Sequence, residues 1–133
     1  MFKNLFLIIF LVNTNHAIAV DLILLEETPK KTIYLDKDSL RKKGVLIEYE
    51  TLHYFRELTE FLDDKNRPYL AGGARLEIVT NCTQKKRVIK KMKFLSPDRK
   101  KIVDILTLPY AEEQASPGSY AFLETSKACG LIK

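Results

Sequence analysis

Small or apolar residues alternate with polar ones through the middle of the chain. Ala74, Leu76, Ile78, Thr80 and Cys82 share one parity, and Arg75, Glu77 and Asn81 share the other. A period of two is what a half-buried strand needs, because successive side chains leave opposite faces of a sheet. Residues 74–82 therefore read as a central strand, with Cys82 pointing inward at its end. The same period runs through Val45, Ile47, Tyr49, Thr51, His53 and Phe55, while Glu48 and Glu50 fall on the other face. One buried and one solvated side is the pattern of an antiparallel sheet.

Shorter segments flank these two. Leu22–Leu25 is an apolar run ended by Glu26-Glu27-Thr28-Pro29, and Thr32–Leu35 is β-rich and stops at Asp36-Lys37-Asp38-Ser39. Asp and Ser there can bond their own backbone, which predicts a turn or one helical turn through Leu40, closed by Gly44. Asp63–Pro68 is a loop signature, and Gly72-Gly73 leads into the central strand. After a turn at Thr83–Lys86 comes a strand over Arg87–Leu95 whose parity conflicts with itself. Val88, Met92 and Phe94 fall with Lys90, and Ile89 and Leu95 with Lys91 and Lys93. A bulge would settle the conflict, at a position the pattern does not specify. Ser96-Pro97-Asp98-Arg99 predicts a type I turn, and Ile102–Leu108 closes the sheet before Pro109.

The chain ends in its only helical pattern. Ser119, or Ser116 with Pro117 at the first helical position, can cap the free N–H groups. Ala121, Phe122, Thr125, Ala128 and Cys129 then share a face, and Gly130 reads as the stop. The expected fold class is α+β: a single antiparallel sheet of about six strands with a C-terminal helix packed on one face.

The first nineteen residues read differently from the rest. Lys3, the apolar run Leu5–Val12 and Ala17-Ile18-Ala19 match the three regions of a cleaved signal peptide. The run is far shorter than the ~20 residues of a spanning helix. The expectation is a signal peptide at 1–19 and one exported domain at 20–133, periplasmic, secreted or at the cell surface. No cysteine adjoins the cleavage site, so a lipoprotein is not expected.

Export decides how the two cysteines read. In an oxidising compartment Cys82 and Cys129 form a disulfide by default. Closing a loop of that size stabilises a fold by about 4 kcal/mol, and it would pin the last element onto the sheet.

Twenty-two basic residues against seventeen acidic ones give a net charge of +5, which by itself implies little. The distribution matters more. Lys85, Lys86, Arg87, Lys90, Lys91, Lys93, Arg99, Lys100 and Lys101 are separated by Asp98 as the only acid. Gathered on one face, they would attract an anionic glycan, a lipid headgroup or an acidic protein surface; a solvated sheet face that uses lysines against aggregation gives the same pattern. Export argues against nucleic acid, and homo-oligomers stay open. Of the aromatic residues, Tyr69 and Tyr110 stand in loop-like context and are expected to be exposed.

Catalytic chemistry finds little to work with. Beyond the leader the single histidine is His53, there is no Cys-x-x-Cys, and there is no Gly-rich phosphate loop or serine elbow. Asp63-Asp64-x-Asn66 lacks the spacing of a calcium loop. No enzyme activity, cofactor or metal is expected.

The order of these features resembles the surface-adhesin protein E family of small exported bacterial proteins. The resemblance rests on Thr32-Ile33-Tyr34-Leu35-Asp36-Lys37-Asp38-Ser39-Leu40, on Leu76-Glu77-Ile78-Val79-Thr80-Asn81-Cys82 before a basic turn, and on Pro117-Gly118-Ser119 running to Lys127-Ala128-Cys129. It implies a sheet of about six strands with the helix tied across one face by the disulfide. It also implies a non-catalytic binding protein for host matrix or serum proteins. The chain departs from the family in having Leu22 where a first-strand tryptophan is expected, and in lacking a lipid-attachment cysteine. A periplasmic structural or assembly subunit is the alternative.

Overall fold

A computed structural model describes residues 21–132; the signal peptide expected at 1–19 lies outside them. Seven strands make one antiparallel sheet: β1 (Leu22–Glu27), β2 (Lys31–Lys43), β3 (Leu46–Leu62), β4 (Pro68–Asn81), β5 (Lys86–Leu95), β6 (Ile102–Thr107) and β7 (Glu113–Gln114). Strands one to six follow each other across the sheet, and β7 pairs with β5 beyond the reach of β6. One helix, α1 (Tyr120–Leu131), ends the described chain.

The expected α+β architecture is what forms, and the differences from the expected boundaries have local causes. β2 does not stop at Leu35. Asp36 Oδ1 accepts the Asp38 N–H, while Ser39 Oγ donates to the Asp36 carbonyl and accepts the Glu50 N–H. The turn chemistry thus makes a register shift between Asp36 and Arg41 inside one strand, not a helical turn. Gly44, at φ +64°, then turns β2 into β3.

Likewise β3 runs on to Leu62, across a register shift between Tyr54 and Thr59. Its extension forms a hairpin arm with the start of β4, around the loop that does fall at Asp63–Arg67. Gly72 and Gly73 lie within β4. A Cβ on Gly72 would come 2.6 Å from the Pro97 carbonyl oxygen, and one on Gly73 would come 2.5 Å from that of His53. Backbone fills the space a side chain would need, so these positions tolerate glycine alone.

The parity conflict in β5 is resolved at Lys90. Glu77 pairs with Lys91, but Ile78 pairs with Ile89, leaving Lys90 as the extra residue of a bulge. The bulge brings Ile89 onto the same side as Met92 and Phe94, where all three meet the core.

That core lies between the sheet and α1. Leu35, Ile47, Tyr49, Leu76, Ile78 and Phe94 form one buried cluster with Ala128 of the helix, and Ala121 and Thr125 are also buried. Small side chains on α1 let it approach closely. At the far end, Phe55, Phe61, Tyr69 and Phe94 stack in sequence, so the arm extends the same core. Ser119 is the N-cap, its hydroxyl accepting the Phe122 N–H. Gly130 is not the stop: the helix runs one residue beyond it. Cys82 and Cys129 are joined by the expected disulfide, which fixes that end of the helix to the turn after β4.

His53 is buried on the core side of β3, its Nε2 3.3 Å from the Thr51 hydroxyl. Burial, with the charges of Lys31 and Arg87, pushes its pKa down from 6.5 to about 3. The unfolded chain therefore binds this proton first, so the stability is complete above pH 6.5 and is lost as pH falls toward 3. Urea denaturation is expected to show about 2 kcal/mol less stability at pH 5 than at pH 7 from this group. His53→Gln removes that part of the slope; an unchanged slope would show that His53 charges freely in the fold.

Candidate binding face

The sheet has two faces of opposite character. The face under α1 is closed by a buried polar cluster. Glu124, fully buried, takes the Tyr49 hydroxyl at 2.7 Å and Arg87 Nη1 at 2.7 Å on Oε2, and the Tyr120 hydroxyl at 2.9 Å on Oε1. Tyr49 also meets the Thr80 hydroxyl at 2.8 Å, and Arg87 Nε reaches Glu113 of β7 at 2.9 Å. Burial and the neighbouring Glu124 carboxylate raise the pKa of both Tyr49 and Tyr120. The Glu124 and Glu113 carboxylates raise that of Arg87 against the effect of its burial. These protons are fixed as donors. The cluster ties the helix to the sheet.

The helix-free face carries charge in rows. Asp36, Glu50 and Glu77 stand directly opposite one another on β2, β3 and β4. Like charges so placed repel, and the adjacent row supplies Arg75 and Lys93 to offset them. Arg75 lies 3.6 Å from Asp36 and 2.8 Å from Glu50; Lys93 lies 2.8 Å from Glu50 and 2.7 Å from Glu77. Burial pushes the Glu50 pKa up, but the hydrogen bonds and charges of Lys93 and Arg75 bring it below its ordinary value. Hydrogen bonds to Glu50 and Glu77 raise that of Lys93.

The nine cations singled out from the sequence are therefore divided. Arg87 is buried under the helix, and Lys93 is held between two carboxylates. Arg99 lies over the Tyr54 ring and donates to the Gly72 and Phe55 carbonyls. Lys100 and Lys101 sit on the turn at one end of β5, with Lys85 and Lys86 at the other. Ten strand residues separate those ends by about 30 Å. Lys90 is exposed at the bulge and Lys91 is half-buried beside it.

Two hollows of about 250 Å³ each adjoin at Lys90 and Val79. One reaches Arg41 and Ser39; the other reaches Lys86, Val88 and Tyr110. Tyr110 is 76% exposed, as expected, and Glu112 raises its phenol pKa. Tyr69 is instead half-buried, its hydroxyl donating to Asp104. In the Asp63–Arg67 loop, Asp63 accepts from the Lys65 and Arg67 backbone and from Arg67 Nε, so its oxygens are already engaged. Among the described residues no group of three or more His, Cys, Asp and Glu is placed to hold a metal, and no helix is long and apolar enough to cross a membrane. Arg41 and the role of Glu124 were missed in the sequence. Glu124 falls between Ala121 and Ala128 on the helix's inward face, a carboxylate in an otherwise small and apolar stripe, and that was its signal.

With this geometry in view, solved structures supply a likeness. Haemophilus influenzae protein E superposes with a TM-score of 0.62 at 10% identity, covering 82% of this chain and 83% of that one. The chain has the protein E fold. A second crystal form of protein E gives 0.64 at 10% identity over 82% and 87% of the two chains. Protein E from a non-typeable strain gives 0.62 at 9% identity over 85% and 79%. No protein-family model and no curated protein matches the sequence. The likeness to protein E is thus one of fold.

Removing one partner of a buried ion pair leaves the other charge stranded. Glu124→Gln is expected to cost about 3–5 kcal/mol in urea denaturation with the disulfide intact, and Arg87→Met with Glu124→Leu together much less. Equal losses in the two variants would show that packing, not the ion pair, dominates this interface.

Proposed function

We propose that the protein is an exported, non-catalytic binding protein of the protein E type. Its recognition surface is the helix-free face around Lys86, Lys90, Lys91, Arg41 and Tyr110. The observation that carries this reading is the division of the cations: Arg87, Lys93 and Arg99 are engaged by partners within the chain, while the bulge turns Lys90 out beside two hollows and an exposed tyrosine. Bulges re-aim side chains in this way, and an aromatic ring among cations suits a sulfated or acidic surface. The ligand class is an anionic glycan, a lipid headgroup or an acidic patch of a host matrix or serum protein.

The second reading, a periplasmic assembly subunit, is favoured by β6. That edge strand exposes Ile102, Val103, Ile105 and Leu106, and an apolar edge invites pairing with another chain. Proteolysis of intact cells separates the two, since a surface protein is cleaved and a periplasmic one protected.

Combined reversal of Lys86, Lys90 and Lys91 to Glu is expected to abolish retention on heparin at about 0.15 M ionic strength. The circular dichroism spectrum stays unchanged in that variant. Retention equal to that of the unmodified protein would remove the lysine face from the mechanism.

A further inference from the structure

On the other side of the sheet, a groove runs between the edge strand β1 and α1. Its volume is about 870 Å³, and its walls are mainly Leu24, Leu25, Phe122, Leu123 and Leu131. That is within the ~300–1,000 Å³ of typical ligand sites. Leu123 is 43% exposed, so apolar surface on the helix wall faces water.

The rim of this groove is unpaired backbone. Among the described strands β1 pairs with β2 alone. The Lys37 N–H donates to the Asp21 carbonyl, so Asp21 faces β2. In an antiparallel ladder such groups alternate, so up to the register shift between Leu24 and Glu26 the N–H and C=O groups of Leu22 and Leu24 turn away from β2, along the rim. A row of donors and acceptors at that spacing is matched by an extended chain, whose alternate side chains would then enter the apolar floor.

Charge gives the groove a direction. Glu26 and Lys127 also line it. Glu26 is near enough to Tyr120 to contribute to the rise in that phenol's pKa, which puts it at the N-terminal end of α1. Lys127 follows seven residues later in the helix, about 10 Å along its axis.

We propose that the groove binds an extended peptide segment of a partner protein, added antiparallel to β1, with alternating apolar side chains, a basic residue at Glu26 and an acidic one at Lys127. This site is separate from the lysine face and does not depend on it.

The probe is an end-blocked, fluorescein-labelled peptide, Val-Thr-Lys-Thr-Val-Thr-Asp-Thr-Val, whose Lys, Asp and Val share one face with Lys and Asp about 13 Å apart, titrated with the full exported chain by fluorescence polarisation. Saturable binding is expected, weakened at least about tenfold by backbone N-methylation of the peptide and by Leu123→Asp. Leu123 is exposed, and circular dichroism confirms that its variant folds. Lys127→Glu is expected to prefer the peptide with its Asp replaced by Lys. No binding by about 1 mM, or binding indifferent to N-methylation and to Leu123→Asp, would overturn the proposal. So would self-association of the chain that Leu123→Asp abolishes, because a second copy would then be the occupant.

Discussion

Glu124 has none of its surface exposed, and burying a carboxylate costs several kcal/mol unless charge and hydrogen bonds offset it. Here Arg87 comes from β5, Tyr49 from β3 and Tyr120 from one turn earlier in the helix. Only one placement of α1 gives both carboxylate oxygens their donors. The disulfide adds a covalent stop five residues further on, at Cys129. Together they fix the helix in rotation and in translation. Net stability from such an ion pair is small compared with an apolar replacement; what it supplies is a single arrangement.

That constraint sets the division between the two faces. Because α1 covers the apolar side of β2 to β5, recognition is left to the opposite face and to the margins of the helix. The same constraint accounts for the loss of Arg87 from the apparent basic patch. A run of cations in sequence is distributed by strand parity, so neighbours such as Arg87 and Lys86 leave opposite faces. Lys90 escapes that rule only because it is the extra residue of a bulge.

The elements that could be read in the sequence were those governed by local chemistry. Alternation located β3 and β4; Ser119 marked the helix start; two cysteines, read as those of an exported chain, marked the clamp. What failed was governed by contacts distant in sequence. The Asp36–Ser39 segment has turn chemistry, yet pairing with Glu50 on β3 keeps it within a strand. The alternation ends at Phe55, yet the strand runs on to Leu62, where Phe61 stacks on Phe94 at 4.6 Å. Gly72 and Gly73 punctuate the pattern but mark a close backbone crossing inside a strand. The cations were visible as a set, whereas their internal partners, Glu50, Glu77 and Glu124, were not. Protein E has a similar fold at about 10% identity, so the fold tolerates replacement of most side chains.

Amide hydrogen exchange on the oxidised and the reduced protein probes the clamp most directly. If α1 is seated by Glu124 and secured by the disulfide, reduction speeds exchange in Tyr120–Leu131 while β3 and β4 keep their protection. Exchange that rises equally in helix and sheet, or in neither, would contradict a helix clamped onto an independently formed sheet.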